Sequence, residues 1–225
     1  NTNRFFIGGP AVTAPYENWF ANFLNYCDVN GLRLDFLSWH RYSADPLTFS
    51  QDVQNVNSYA SPFPKFASLP RFITEWAIDS ENNPLHDSSF AASHTAAVVR
   101  QLLDGEIEGA FSFEIRDAPS ASGEELWGRW GILTHNGEEK PRYQALSLLN
   151  RLGRQRVPVV GEGTWVGAIA SRQENRFQVL LYNLDKDNSH FEATPLTFTN
   201  LPPGLYLYKE YPLVGEPIES RESVT

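Results

Sequence analysis

The feature that most constrains the fold of this chain is a fourfold alternation of apolar, strand-like runs with helix-spaced segments over residues 1–153. The runs cover 4–8, 34–39, 71–76 and 109–115, and the helix-spaced segments cover 15–30, 52–59, 88–104 and 141–152. A strand followed by a helix, several times over, is typical of parallel βα units. Four units make half of a (β/α)8 barrel, whose usual length is about 250 residues. We therefore predict an α/β fold that lacks the N-terminal part of its barrel, with a free-standing, open-edged sheet as the alternative.

After residue 153 the pattern changes to short β-like segments separated by turns. These segments cover 157–160, 164–171, 177–182, 196–198 and 205–211. Such a series predicts an antiparallel β-sandwich, or half of one. We expect residues 1–153 to form the barrel part and residues 154–225 to form the β-sandwich domain. N-terminal strands that are missing from this sequence can complete that β-sandwich. The polar stretch 215–225 is expected to be loosely held.

Composition excludes several classes of partner and cofactor. The net charge of −9 argues against nucleic acid and anionic membranes as partners. The single cysteine, Cys27, allows no internal disulfide, and its place among helix-spaced apolar residues predicts a small buried side chain. The five histidines are scattered, and the chain has no dinucleotide or phosphate-loop motif, so we predict neither metal nor cofactor. The chain has no methionine, which indicates a processed product or a piece of a longer protein.

A carboxylate ends the third apolar run, in the sequence Ile73-Thr74-Glu75-Trp76. In such folds the catalytic residues lie at the C-terminal ends of the barrel strands. Glu75 is therefore the first candidate for a catalytic residue, although it can also be a glutamate leaving a strand for solvent. His40 and Tyr42 end the second run and can hydrogen-bond a carboxylate. They can equally be a core histidine and a packed tyrosine.

Further candidates for substrate binding follow the third and fourth runs. Glu114 and Asp117 can bind substrate hydroxyls, or they can form ion pairs with nearby arginines, namely Arg41, Arg116 or Arg129. Trp76, Trp127 and Trp130 can stack on the face of a sugar ring, or the two loop tryptophans can simply cap the barrel. Together these residues predict a site for nucleophilic or acid/base chemistry on a carbohydrate substrate.

The order of three motifs resembles glycoside hydrolase family 39, the family of β-xylosidases and α-L-iduronidases. The motifs are Gly8-Gly9-Pro10, the stretch 35–43 (Asp-Phe-Leu-Ser-Trp-His-Arg-Tyr-Ser) and the stretch 73–76. The stretches 130–133 and 140–146 resemble the eighth βα unit of that family. The resemblance implies strands five to eight of the barrel, followed by a β-sandwich. At 113–117 the chain departs from the family, whose members tend to carry a tryptophan and no arginine there.

The same resemblance implies a mechanism and a missing partner. A retaining glycosidase cleaves O-glycosidic bonds by double displacement, with two carboxyl groups about 5–5.5 Å apart. Glu75 matches the nucleophile at the end of strand seven, and His40 and Tyr42 match residues that line that site. The acid/base on strand four has no counterpart here, so we predict an N-terminal half as a separate chain or missing segment, and little activity without it. The alternatives are a non-catalytic carbohydrate-binding or scaffold protein, and a half-barrel that dimerises.

Overall fold

The first half of the chain folds as a parallel four-stranded sheet with helices packed on one face. The computed structural model describes residues 5–187, 189–213 and 217–224. The strands lie in chain order: β1 Gly8–Val12, β2 Phe36–Tyr42, β3 Arg71–Ala77 and β4 Gly109–Ser112. The helices are α1 Glu17–Val29, α2 Leu47–Ala60, a 3-10 turn at Pro84–Asp87, α3 Ser89–Asp104 and α4 Pro141–Leu149. The predicted alternation of parallel strands and helices is confirmed.

The core lies between this sheet and its helices. Trp39 and Ile73 from the strands and Phe20, Phe49 and Val98 from the helices all have 0% exposure. Cys27 is buried there as predicted, at 3% exposure, and burial raises the pKa of its thiol. Such dense apolar packing holds the strand ends, and therefore the candidate site, in place.

The first strand begins later than its apolar run suggests. The sequence placed a strand at 4–8, but residues 5–7 are exposed and β1 starts at Gly8; Arg4 lies outside the described residues. Position 8 has no room for a side chain, because a Cβ on Gly8 would come within 2.4 Å of Phe36 in the neighbouring strand. Gly8 therefore lets β1 approach β2. Trp19 of α1 is 63% exposed.

The second half of the chain contains two small antiparallel sheets. One joins β5 Gln155–Val157, β6 Val166–Gln173 and β7 Arg176–Asn183, and the other joins β8 Gly204–Glu210 to β9 Ile218–Val224. The stretch 196–198 is not a strand.

The stretch 218–224, predicted to be loosely held, is instead the strand β9. It is polar, but backbone pairing along the whole length of β8 stabilises it without a buried face. Gly215, Glu216 and Thr225 of the predicted tail lie outside the described residues.

Ion pairs connect the helical layer to the antiparallel strands. Arg100 of α3 pairs with Glu162 and also donates to the carbonyl of Ala168, while Arg156 of β5 lies 2.6 Å from Asp104. Arg100, Asp104 and Arg156 border an open cavity of about 400 Å³ between α3, β5 and β6. Within the described ranges, no helix is both long enough and apolar enough to cross a bilayer.

Candidate active site

The candidate site lies at the C-terminal ends of β2 and β3, where one extra residue interrupts the pairing of the strands. Trp39 of β2 lies opposite Ile73 of β3, but the next residue, His40, lies opposite Glu75. Thr74 is therefore the extra residue of a β-bulge, a feature that often re-aims side chains beside active sites. Strict alternation would send Ile73 and Glu75 to the same face. With the bulge, Ile73 is buried in the core while the Glu75 side chain is 37% exposed.

Two side chains of β2 lie next to the Glu75 carboxylate. The Tyr42 hydroxyl donates a 2.7 Å hydrogen bond to Glu75 Oε2, and His40 Nε2 lies 4.0 Å from Oε1. Burial raises the pKa of Tyr42, and the hydrogen bond to Glu75 raises it further, so the phenol stays a protonated donor. Thr74 Oγ1 lies 3.2 Å from His40 Nδ1 and donates to the Trp39 carbonyl at 3.2 Å, which fixes the imidazole. The structure thus brings together Glu75, His40 and Tyr42.

An aromatic wall adjoins this cluster. The Phe113 ring meets Tyr42 edge to face at 6.5 Å between centroids and lies 5.4 Å from the Trp130 ring. The guanidinium of Arg129 lies 3.6 Å from the Trp130 centroid and donates to Glu114 Oε1 at 3.3 Å. Glu114 is therefore engaged by a cation, as the ion-pair alternative expected. Trp130 stays at the rim of the cluster, where its partly exposed ring can meet a ligand.

Trp127 contacts the same guanidinium but is held differently. The Arg129 carbon lies 5.6 Å from the Trp127 centroid. The Trp127 indole nitrogen is buried, and no hydrogen-bond partner for it exists in the part of the chain that the structure describes. Trp130, by contrast, donates from its indole nitrogen to the Glu81 carbonyl at 3.2 Å. Of the two indole rings, Trp130 is therefore the one that a hydrogen bond holds in place.

Two residues predicted to bind substrate are buried, and the prediction was wrong for both. Trp76 is 2% exposed and packs edge-on against Phe49 of α2 at 6.0 Å, because the bulge turns it into the core. Asp117 is also 2% exposed. Its carboxylate accepts from Lys140 Nζ at 2.8 Å and from the Gly131 backbone N–H at 2.6 Å. Asp117 is thus a buried structural ion-pair residue.

Sequence reasoning missed one charged residue of this region, Arg142 near the start of α4. It is 2% exposed, and its guanidinium donates to the carbonyls of Trp76 at 2.9 Å and Phe113 at 3.3 Å. Burial lowers the pKa of Arg142 to about 9. A basic residue at the start of a helix is ordinary on a protein surface, so the sequence offered no sign of its burial.

The arrangement is suited to nucleophilic chemistry or to hydrogen bonding at the Glu75 carboxylate. An accessible carboxylate with a phenol donor on one oxygen can act as a nucleophile or accept hydrogen bonds. Among the residues that the structure describes, no three His, Cys, Asp or Glu side chains are grouped to hold a metal ion.

The fold of this chain is also found in solved structures of glycosidases. A monomeric β-xylosidase from Caulobacter crescentus matches with a TM-score of 0.75 at 20% identity, over 98% of this chain and 57% of that one. A glucosidase from Croceicoccus marinus matches with a TM-score of 0.66 at 22% identity, over 80% of this chain and 40% of that one. At these identities the likeness establishes the fold alone.

Sequence comparison then gives the family. The family described as Glycosyl hydrolases family 39 matches residues 2–198. A β-xylosidase from Caldicellulosiruptor saccharolyticus is 25% identical over 196 residues, which are 79% of this chain and 39% of that protein. A β-xylosidase from Geobacillus stearothermophilus is 26% identical over 206 residues, with shares of 79% and 38%. The chain belongs to glycosyl hydrolase family 39, and it spans about two fifths of the length of these curated relatives.

Proposed function

We propose that this chain carries the nucleophile, Glu75, of a retaining glycoside hydrolase that acts on β-xylosides or related sugars. The observation that supports this proposal best is the 2.7 Å hydrogen bond from Tyr42 to an accessible Glu75 carboxylate at the end of a parallel strand. Membership of family 39 supports the hydrolase class, and relatives named β-xylosidase support the sugar.

The reaction follows from the position of the carboxylate. In the first displacement, a Glu75 oxygen forms a bond to the anomeric carbon as the bond to the leaving oxygen breaks, and that oxygen takes a proton from a general acid. In the second displacement, the residue that served as the general acid acts as a base and removes a proton from water. The water oxygen attacks the anomeric carbon and releases Glu75. Tyr42 holds one carboxylate oxygen, which leaves the other to attack. Phe113 and Trp130 offer flat apolar surfaces to the sugar.

We propose that the acid/base comes from a segment outside these 225 residues, and that residues 1–153 are strands five to eight of a barrel. Of the two other carboxylates predicted at this site, Glu114 is engaged by Arg129 and Asp117 by Lys140. A second support is the open face of the sheet. Opposite the helices, Phe36 and Phe72 meet edge to face at 5.3 Å, and Phe111, stacked on Phe72, is 57% exposed. Residues 154–225 then form the β-sandwich domain.

The test of the nucleophile is the change Glu75→Gln in the protein that includes the complementing segment. Gln keeps the shape of the side chain but not its charge, so turnover of an aryl β-xyloside should fall by about a thousandfold or more. Glu17→Gln, on the exposed surface of α1, is the matched control and should keep the wild-type rate. The 225-residue chain alone should not hydrolyse the substrate, because it lacks the proton donor.

A different residue is the nucleophile if Glu75→Gln retains a tenth of the activity or more. Circular dichroism of both variants shows whether either has lost its fold.

The engagement of Glu114 and Asp117 also favours a second candidate, a carbohydrate-binding or scaffold protein without turnover. Such a protein would use Glu75, Tyr42 and Trp130 to hold sugar hydroxyls and faces. Calorimetric binding of xylo-oligosaccharides by the wild-type protein, with no hydrolysis in the presence of the complementing segment, would establish this second function.

A further inference from the structure

We propose that Arg142 is a positioning residue for Glu75, an inference that rests on the function proposed above. Arg142 does not reach the open site, since it is buried beneath the ends of β3 and β4. It acts through the backbone on either side of the site and through Tyr42. Three observations support this role: the carbonyls that it binds, its charge, and its influence on the Tyr42 hydroxyl.

The guanidinium joins two strand ends beyond the point where their ladder stops. The final register pair between β3 and β4 is Trp76 with Ser112. The Trp76 carbonyl then accepts two hydrogen bonds, from the Phe113 N–H at 3.1 Å and from Arg142 at 2.9 Å. Arg142 also binds the Phe113 carbonyl at 3.3 Å. It therefore ties the residue that follows Glu75 to the aromatic wall of the site.

The charge of Arg142 is poorly compensated for a buried group. Its hydrogen-bond partners in the described ranges are backbone carbonyls, its Nε has none there, and its guanidinium carbon lies 4.2 Å from the Trp76 ring centroid. Burying a charge without a counter-charge costs a desolvation free energy that hydrogen bonds to two carbonyls offset only in part. A methionine would fill this space, so stability alone does not explain an arginine at this position.

The charge of Arg142 also acts on a group of the site, the Tyr42 hydroxyl. The positive charge of the Arg142 guanidinium opposes the rise in the pKa of Tyr42. A positive charge near the phenol oxygen makes its O–H a stronger donor to the Glu75 carboxylate. Arg142 thus supports the Tyr42–Glu75 hydrogen bond electrostatically while it fixes the backbone around it.

The test compares Arg142→Met and Arg142→Lys in the protein that includes the complementing segment. A 2-fluoro glycoside with a good leaving group reports formation of the bond to Glu75 without the help of an acid. Arg142→Met should slow labelling and reduce kcat by about 100-fold, the loss expected from a small misplacement of reacting groups. KM and the midpoint of thermal unfolding should stay close to wild type. Arg142→Lys keeps the charge, so its labelling rate and its kcat should be about tenfold higher than those of Arg142→Met.

The control is Arg151→Met, because Arg151 lies on the Tyr211 ring at 4.5 Å, in a contact outside the proposed site. It should label at the wild-type rate. Wild-type labelling of Arg142→Met, or a loss that merely follows unfolding, overturns the role of Arg142 and leaves the proposed function intact. Absence of label on Glu75 in the wild-type protein overturns the proposed function, and the positioning role falls with it.

Discussion

At the scale of single residues, Tyr42 donates the hydrogen bond that holds one oxygen of the Glu75 carboxylate. A hydrogen bond from a phenol to an ionised carboxylate stabilises the charge and fixes which oxygen is free. His40, at 4.0 Å, is too distant to share this role in the present geometry but lines the same space.

We expect Tyr42→Phe to reduce kcat/KM by about 10- to 100-fold. The loss corresponds to one hydrogen bond to a charged group, about 1.5–3 kcal/mol, at 1.4 kcal/mol for each factor of ten. The measurement is steady-state hydrolysis of an aryl β-xyloside by the protein that includes the complementing segment. Tyr26→Phe, on the exposed surface of α1, removes a hydroxyl elsewhere and should change nothing. An unchanged rate for Tyr42→Phe would show that the phenol does not assist Glu75.

The sequence identified the cluster of Glu75, His40 and Tyr42 because strand ends in a parallel sheet meet at one edge. It misplaced Trp76 because a bulge at Thr74 changes which face each side chain meets, and no residue type marks a bulge of this kind. It also missed Arg142. Whether a charged side chain is buried depends on contacts between distant segments, here between α4 and the ends of β3 and β4.

At the scale of elements, α3 contributes a buried histidine that makes folding sensitive to acid. His94 is 1% exposed, and its Nε2 lies 2.8 Å from the Ser43 carbonyl, so this nitrogen carries the proton of the neutral ring. Burial lowers the pKa of His94 from 6.5 to about 3. Phe90 stacks on it at 5.8 Å and Phe49 meets it edge-on, so the ring takes part in the core packing.

We expect the free energy of unfolding to fall as pH falls below about 6.5. Below that pH the unfolded chain binds a proton on His94, whereas the folded chain binds this proton only near pH 3. The loss is about 1.7 kcal/mol for this histidine between pH 6.5 and 5.0, because the unfolded histidine is already half protonated at pH 6.5. Urea unfolding of the chain at several pH values measures it.

His94→Gln should remove this part of the slope, whereas His135→Gln, in a loop, should leave it unchanged. An equal slope in wild type and His94→Gln would contradict the assignment. His86 is buried in the same way, with its pKa lowered to about 4, and accounts for a further part of the acid sensitivity.

The helices and the central strands could be predicted because the apolar residues that recur at regular spacing in the sequence are the residues that these elements bury. β1 was misplaced because the strand-like run at 4–8 precedes the residues that pair, whereas the absence of a side chain on Gly8 allows the chain to approach Phe36. β9 was missed because its stability comes from pairing with β8, which a polar local sequence does not reveal.

At the scale of the whole molecule, the sheet has one covered face and one aromatic, partly exposed face. The helices bury the first, while Phe36, Phe72 and Phe111 line the second. The chain also spans about two fifths of its curated relatives. Both facts support a complementing segment that closes the barrel over this face and brings a general acid to within about 5–5.5 Å of Glu75, the separation of a retaining mechanism.

The measurement that tests the central claim most directly is covalent labelling by a 2-fluoro xyloside, followed by peptide mapping. A fluorine at C2 slows both displacements, and a good leaving group restores the first, so the glycosyl intermediate accumulates on the nucleophile. The protein that includes the complementing segment should gain one sugar, attached to Glu75 in the stretch 73–76, and Glu75→Gln should gain none. Attachment of the sugar to any other carboxylate, with Glu75 unmodified, would contradict the account.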